Sequence, residues 1–189
     1  MNAPLDLRMD KKTFLRWVQS QEGRYELIGG RVVMQHSPSR RHGYIARNID
    51  DALRQRLDGK QWSVLRGDIS VEYGEETRVP DVLVEPAGLP EDLNVTDQPV
   101  LLAEVLSPSS MQADFHAKPN LYFQIPSLEI YIVASQDRAY LWVWQRSKEG
   151  TRAFPDLAVE FDSLEAAVDL THFGITLPVA EVYRGVTFA

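Results

Sequence analysis

Cysteine is absent from the 189 residues of this sequence. Its absence excludes disulfide bonds, thiolate metal sites and a cysteine nucleophile, and it fits a reducing compartment. No segment approaches the roughly eighteen uncharged apolar residues of a membrane-spanning helix. Residues 1–12 mix acids and bases and lack the apolar core of a signal peptide. We therefore expect a cytoplasmic protein without a membrane partner.

Several enzyme signatures are also missing. The sequence contains no P-loop, no Gly-x-Ser-x-Gly elbow and no His-Glu-x-x-His motif. The pair Gly29-Gly30 joins two short β-type runs, which predicts a hairpin turn and not a phosphate-binding loop.

Charge is unevenly distributed along the chain. The net charge is −7, which argues against indiscriminate binding of nucleic acid. Residues 1–66 nevertheless hold 13 Lys and Arg against 7 Asp and Glu, a balance of +6, whereas residues 67–189 have a balance of −13. A basic half can offer DNA a local patch. The alternative is that the two halves interleave in space and cancel.

The periodicity predicts a single α/β (α+β) domain over 1–189, with a core of about 22–146 and a C-terminal extension at 147–189. Helices are expected from Asp10 to Ser20, from Arg40 to Leu57 and from about Ser110 toward Gln124, with a last helical turn at 179–183. Besides the N-terminal hairpin, strand-like runs cover 62–73, 79–85, 100–106, 129–134 and 139–145. The acidic segment 86–99 is expected to be a loop.

Two acids interrupt strands that otherwise look buried. Asp81 precedes Val82-Leu83-Val84, and Glu104 follows Leu101-Leu102-Ala103. Because an unpaired buried carboxylate is costly, each acid needs a partner. For either acid alone, a salt bridge or a cap is sufficient. Together they indicate a shared divalent cation, since carboxylate oxygens suit Mg²⁺.

A lysine follows these acids at helical spacing. Asp114, Lys118 and Tyr122 recur every four residues and so share one helix face. Lys118 could fold back over the two carboxylates, orient or deprotonate a water, and stabilise charge on a phosphate. The alternative is an Asp114–Lys118 ion pair at the surface.

These residues form an ordered set. Tyr25-Glu26-Leu27, Ser37-Pro38 with His42, Pro80-Asp81-Val82, Glu104-Val105-Leu106-Ser107-Pro108-Ser109, Lys118 with Tyr122, and Glu129-Ile130-Tyr131 occur in this order. The set resembles the Uma-two (Uma2) family of bacterial restriction-endonuclease-like proteins, a branch of the PD-(D/E)XK nuclease superfamily. The resemblance runs from about residue 25 to residue 144.

The resemblance implies a restriction-endonuclease-like fold, with a mixed central sheet flanked by helices, and hydrolysis of DNA phosphodiester bonds with Mg²⁺ or Mn²⁺. Asp81 would bridge the metal, Glu104 would be a second ligand, and the backbone carbonyl of Val105 would complete the set. Lys118 would replace the lysine of the motif, because Leu106 occupies the usual position.

Three further residues are possible supporting groups, each with an ordinary alternative. His42 either hydrogen-bonds a metal-bound water or a phosphate, or is a satisfied core histidine. Glu26 is either linked to the metal site or is a hairpin acid with an ion partner. Tyr122 either hydrogen-bonds near the site or simply packs.

One departure bears on activity. Pro119 follows Lys118, so the helix either kinks there or begins at that proline.

Besides the endonuclease, two functions stay open: a nuclease-fold binding or scaffold protein with little or no catalysis, and a metal hydrolase acting on a small phosphoester. An exposed pair from Trp142 and Trp144 would suit a homodimer, whereas covering a sheet face is the simpler use of these side chains.

Overall fold

The structure is a computed structural model that describes residues 7–35, 37–67, 69–106, 115, 118–148 and 153–188. The helices are α1 (Lys11–Val18), α2 (Arg40–Arg56), α3 (Lys118–Tyr122) and α4 (Val179–Val182). The strands are β1 (Tyr25–Ile28), β2 (Arg31–Met34), β3 (Trp62–Leu65), β4 (Ser70–Tyr73), β5 (Glu76–Arg78), β6 (Val82–Pro86), β7 (Val95–Thr96), β8 (Leu101–Val105), β9 (Ile130–Ala134), β10 (Leu141–Gln145), β11 (Val159–Phe161), β12 (Ala167–Leu170) and β13 (Ile175–Pro178).

The central sheet has six strands in the order β11-β10-β9-β8-β6-β3. Strands β8 and β9 are parallel and the other neighbours are antiparallel, which makes the sheet mixed. Helix α2 covers one face of this sheet with an apolar stripe that includes Ile45, Ile49 and Leu53. Ser39 caps the helix by accepting a hydrogen bond from the His42 N–H at 3.1 Å. The expected mixed sheet flanked by helices is confirmed.

The N-terminal hairpin is confirmed and belongs to a second sheet. Strands β1 and β2 pair around Gly29 and Gly30, whose φ angles of 54° and 74° favour glycine. The hairpin continues into a five-stranded sheet in the order β2-β1-β5-β4-β7. This sheet includes two strands that the sequence did not indicate, β5 and the short β7 within the expected loop 86–99.

The expected single strand over 62–73 is wrong. Its two ends are β3 in the six-stranded sheet and β4 in the five-stranded sheet. Gly67 separates them with a φ of 62°, and a Cβ there would meet the Arg24 guanidinium at 2.6 Å. The chain therefore crosses between sheets at a position where only glycine fits without strain.

The face of the six-stranded sheet opposite α2 carries a cluster of aromatic side chains. Tyr131 stacks on Trp144, and Phe115 lies edge-on to Trp142 at 4.8 Å between ring centroids. Trp144 is only 5% exposed, and Trp142 is partly buried. The prediction of an exposed tryptophan pair is therefore wrong, and the expected homodimer loses the observation that suggested it. Helix α3 closes this side, whereas the earlier part of the expected helix, at 110–114 and 116–117, lies outside the described residues.

The C-terminal segment returns to the α2 side. Val168, Leu170 and Leu177 from β12 and β13 join the core beneath α2. Asn48 of α2 donates hydrogen bonds to the carbonyls of Val182 and Arg184, at 3.0 and 2.9 Å. The expected helical turn near 179–183 is confirmed as α4. No helix in the described part of the chain is long and apolar enough to cross a membrane.

Candidate active site

The two acids predicted from the strand pattern lie at the same edge of the six-stranded sheet. Strands β6 and β8 pair with Val82 opposite Ala103 and Leu83 opposite Leu102. Extending this register by one residue places Asp81 opposite Glu104. Glu104 alternates with Ala103 and Val105 of the core beneath α2, so it faces the other side of the sheet, whereas Asp81, just outside β6, contacts His42 of α2. The two acids therefore come from neighbouring strands at one edge of the sheet, which is the arrangement a shared ligand needs.

Asp81 is held by one backbone and one side-chain contact. Its Oδ2 accepts a hydrogen bond from the Val105 N–H at 2.7 Å and lies 3.1 Å from His42 Nε2. The Asp81 side chain is 17% exposed, so it is open to solvent at the sheet edge. Both contacts to described residues end on Oδ2, which leaves Oδ1 for a ligand.

Glu104 is paired with Lys118 in a nearly closed environment. The Lys118 ammonium lies 2.7 Å from Glu104 Oε1, and the two side chains are 7% and 5% exposed. Tyr122 Oη donates a second hydrogen bond to the same oxygen at 3.2 Å. This burial does not fit a surface ion pair of Lys118. Asp114, the expected partner of Lys118 in such a surface pair, lies outside the described residues.

Pro119 lies in the helix that carries the lysine. The described part of this helix runs from Lys118 to Tyr122, and residues 116–117 before it lie outside the described residues. The Pro119 carbonyl accepts a hydrogen bond from Phe123 N at 2.9 Å, as in a regular helix. The ammonium therefore reaches Glu104 from a helical segment that contains this proline.

Tyr122 is fixed in its neutral form. Burial of the phenol raises its pKa well above the usual 10.0, and the neighbouring charges of Glu104 and Glu26 raise it further. The Tyr122 hydroxyl is thus a hydrogen-bond donor to Glu104 at any ordinary pH, and it is unsuited to act as a base.

Glu26 connects the hairpin to the strand entry before Asp81. Its Oε1 accepts hydrogen bonds from Val79 N at 3.0 Å and from Gln35 Nε2 at 2.8 Å. Its Oε2 lies 3.8 Å from Arg78 Nη1, and Glu26 and Arg78 are 5% and 4% exposed. Glu26 is thus a hairpin acid with Arg78 as its ion partner, as in the structural interpretation of this residue. It also fixes the backbone two residues before Asp81.

Sequence reasoning missed Arg78 and Gln136. Arg78 carried a signal, since it is a charged residue directly before the apolar run that holds Asp81. Gln136 carried none: it was assigned only to a turn. In the structure its side chain accepts a hydrogen bond from Ser39 Oγ and donates one to the Leu106 carbonyl. Its backbone carbonyl accepts a bond from Arg41 at 3.2 Å. These contacts fix the start of α2 at the sheet edge, where His42 meets Asp81.

The donor set fits a magnesium ion. Asp81 and Glu104 offer carboxylate oxygens, and the Val105 carbonyl points to the β6 side, as its N–H does. In the described residues no group of three or more His, Cys, Asp or Glu gathers as a metal cage. Mg²⁺ does not need such a cage, because it keeps several waters and usually takes one or two carboxylates plus substrate phosphates.

Comparison with known proteins shows that the fold is nuclease-like. A crystal structure described as a putative nuclease from Anabaena variabilis matches with a TM-score of 0.72 at 16% identity, over 92% of this chain and 98% of that one. The model of the Uma2 family, described as putative restriction endonuclease, matches residues 12–180, and the chain belongs to this family.

Two relatives from Synechocystis sp. are similar in sequence. The uncharacterized protein slr1290 is 23% identical over 185 residues, which cover 96% of this chain and 94% of the relative. The uncharacterized protein sll1609 is 28% identical over 116 residues, covering 59% and 66% respectively.

Proposed function

We propose that this protein is a metal-dependent endonuclease that hydrolyses phosphodiester bonds in DNA. The observation that supports this most is the contact between Lys118 and Glu104, beside the Val105 N–H that donates to Asp81. Glu104 comes from β8, Asp81 from the residue before the adjacent strand β6, and the lysine from the helix that follows β8. Three charged groups that converge on a partly buried edge need a functional or a strong structural reason.

Asp81, Glu104 and the Val105 carbonyl would hold the Mg²⁺ or Mn²⁺ ion. A bound ion of this kind activates a water and neutralises charge on the phosphate. Lys118 Nζ, beside Glu104 Oε1, can donate a hydrogen bond to a water or a phosphate oxygen next to that carboxylate. His42 orients Asp81 through Nε2, and Tyr122 orients Glu104.

The substrate surface would begin at α2, whose first turn lies at the site. Arg40, Tyr44 and Arg47 are exposed along this helix, and the Arg47 guanidinium lies 5.2 Å from the centre of the Tyr44 ring. Arginines contact phosphates, and an exposed aromatic ring can stack on a base. This basic patch gives a protein of net charge −7 a local surface for DNA.

A binding protein without turnover is the second candidate. The short Lys118–Glu104 pair favours it, because the ammonium and a hydroxyl already occupy one oxygen of the proposed metal ligand. Catalysis would then require Glu104 to offer its other oxygen or to exchange partners.

A substrate panel separates these candidates. The wild-type protein is incubated with supercoiled plasmid, a single-stranded oligonucleotide and bis(p-nitrophenyl) phosphate, each with Mg²⁺, Mn²⁺ or EDTA. Metal-dependent cleavage of plasmid or oligonucleotide supports the endonuclease. Salt-dependent DNA binding without cleavage supports the binding protein, and turnover of the small diester alone supports a small-molecule hydrolase.

A further inference from the structure

The two edges of the six-stranded sheet carry charges of opposite sign. Residues 54–66, which include the edge strand β3, hold four Lys and Arg and one acid. Residues 153–165, which include the opposite edge strand β11, hold four acids and no Lys or Arg. Charges on an edge strand normally keep it from pairing with another chain. Here each edge repels the same edge of a second copy but attracts the other edge.

The β3 edge has an open backbone group. The Arg54 guanidinium donates a hydrogen bond to the Val64 carbonyl, so this carbonyl points away from β6. In an antiparallel pair the N–H of a residue points to the same side as its carbonyl. The Val64 N–H therefore faces the free edge, and none of the described residues accepts a hydrogen bond from it. A strand of another molecule can bond to such an edge.

A cavity of about 310 Å³ lies along the same edge, between β3 and the end of α2. Apolar side chains of Leu57, Trp62 and Leu65 line it together with Arg54. A cavity of roughly 150 Å³ can hold a benzene molecule, so this one has room for a leucine side chain. The β3 edge thus offers a backbone partner and a place for an apolar side chain.

The β11 edge presents apolar side chains to solvent. Leu157, two residues before this strand, is 81% exposed, and Val159, its first residue, is 59% exposed. Leu157 is the most exposed large hydrophobic residue in the part of the chain that the structure describes. Two exposed apolar residues beside an open strand edge indicate a surface for contact with another molecule.

The charges of the two edges also match in position. Lys60 and Arg66 are exposed on either side of β3, and Asp156 and Asp162 are exposed on either side of β11. In each pair the second residue is six positions after the first. Strands β3 and β11 run in the same direction within the sheet. Parallel pairing between two copies therefore brings each cation beside an acid and Leu157 near the cavity.

We propose that the partner of the β3 edge is the β11 edge of a second copy of this chain, in a head-to-tail association. A contact between two β3 edges or two β11 edges would oppose like charges. A head-to-tail contact leaves one free edge at each end, so association continues beyond the dimer unless it closes into a ring. Because the contact is short, we expect a salt-sensitive Kd of about 100 µM. The proposal does not depend on nuclease activity.

The test is sedimentation equilibrium of the full chain at up to about 1 mM protein, in low and in high salt. The average mass should rise with concentration, and it should rise less in high salt. Lys60→Glu with Arg66→Glu disables the β3 edge, and Leu157→Asn with Val159→Thr disables the β11 edge. All four positions are exposed, so both double variants should fold. Each alone should associate about tenfold more weakly than wild type.

An equimolar mixture of the two double variants distinguishes a head-to-tail contact from a two-fold one. Each partner keeps the edge that the other lacks, so the mixture should form a dimer and nothing larger. Leu93→Asn with Val33→Thr makes the same substitutions at exposed positions away from both edges, and it should associate as wild type does. A wild-type protein that stays monomeric at about 1 mM would overturn the proposal. So would a mixture that stays monomeric, or an equal loss in the Leu93 and Val33 control.

Discussion

Pro80 lies opposite Val105 when the β6–β8 register is extended past the strand ends. A proline has no N–H, so it cannot donate a ladder hydrogen bond to the Val105 carbonyl. The Val105 N–H is taken instead by the Asp81 carboxylate, at 2.7 Å. The Pro80-Asp81 dipeptide therefore ends strand pairing, leaves a carbonyl for a ligand and places a carboxylate beside it.

Removing the Glu26 carboxylate should destabilise the fold and disturb the position of Asp81. Glu26→Ala deletes the acceptor of the Val79 N–H and one partner of the buried Arg78. We expect a loss of about 3 kcal/mol in the free energy of unfolding, measured by urea denaturation. Glu26→Gln keeps an acceptor for Val79 and should lose less.

The exposed Glu22 provides the matched control, since Glu22→Ala should change stability by no more than about 0.5 kcal/mol. A Glu26→Ala protein as stable as Glu22→Ala would show that the hydrogen bonds of Glu26 do not hold the strand entry.

The raised pKa of Tyr122 predicts a specific pH dependence of stability. The folded protein keeps the Tyr122 proton above pH 10, whereas the unfolded chain releases it. The contribution of Tyr122 to stability is therefore complete below pH 10 and declines as the pH rises beyond it. Wild type should exceed Tyr122→Phe by about 1–2 kcal/mol at pH 8.

That difference should shrink above pH 10, at most by about 1.4 kcal/mol per pH unit. Urea denaturation at pH 8 and pH 10.5 measures it. Tyr44 is exposed, so Tyr44→Phe should show no such change. A constant difference between wild type and Tyr122→Phe across this range would mean that Tyr122 ionises equally in both states.

The exposed arginines of α2 should contribute to DNA binding by charge. Arg40→Ala with Arg47→Ala removes two candidate phosphate contacts, so the slope of log affinity against log salt should fall by about 2. Fluorescence anisotropy with a labelled duplex measures this slope. Arg138 stacks on Tyr140 in the loop that follows β9, and Arg138→Ala serves as a comparison for general loss of charge. Equal effects of both changes per charge removed would argue against a patch on α2.

The sequence predicted the parts of the fold that depend on local pattern. Apolar periodicity and the Ser39 cap indicated α2, and Gly29-Gly30 indicated the hairpin. The division of 62–73 between two sheets depends on the positive φ of Gly67 and on the separate partners of β3 and β4, which are distant in sequence. The short strands β5 and β7 both pair with β4, and β5 also pairs with β1, so their own sequences give little sign that they are strands.

The candidate site, like the fold, could be predicted from the sequence only where it depends on local pattern. Asp81 and Glu104 stood out because charged residues rarely interrupt apolar runs typical of buried strands. The Lys118–Glu104 contact fits the helical spacing with Tyr122, although the placement of α3 over the sheet is tertiary. The contacts of Gln136 join three elements distant in sequence, which no local pattern indicates.

The most direct test of the proposed active site is single-turnover cleavage of plasmid DNA with Mg²⁺ by Asp81→Asn, Glu104→Gln and Lys118→Met. Each change removes one charge at similar size. Asp51→Asn and Lys60→Ala, at less buried positions, are the matched controls. We predict a loss of about 10²–10³ in rate for each site variant, with folding retained, and wild-type rates for the controls. Cleavage at the wild-type rate by Asp81→Asn or Lys118→Met would contradict the proposed active site.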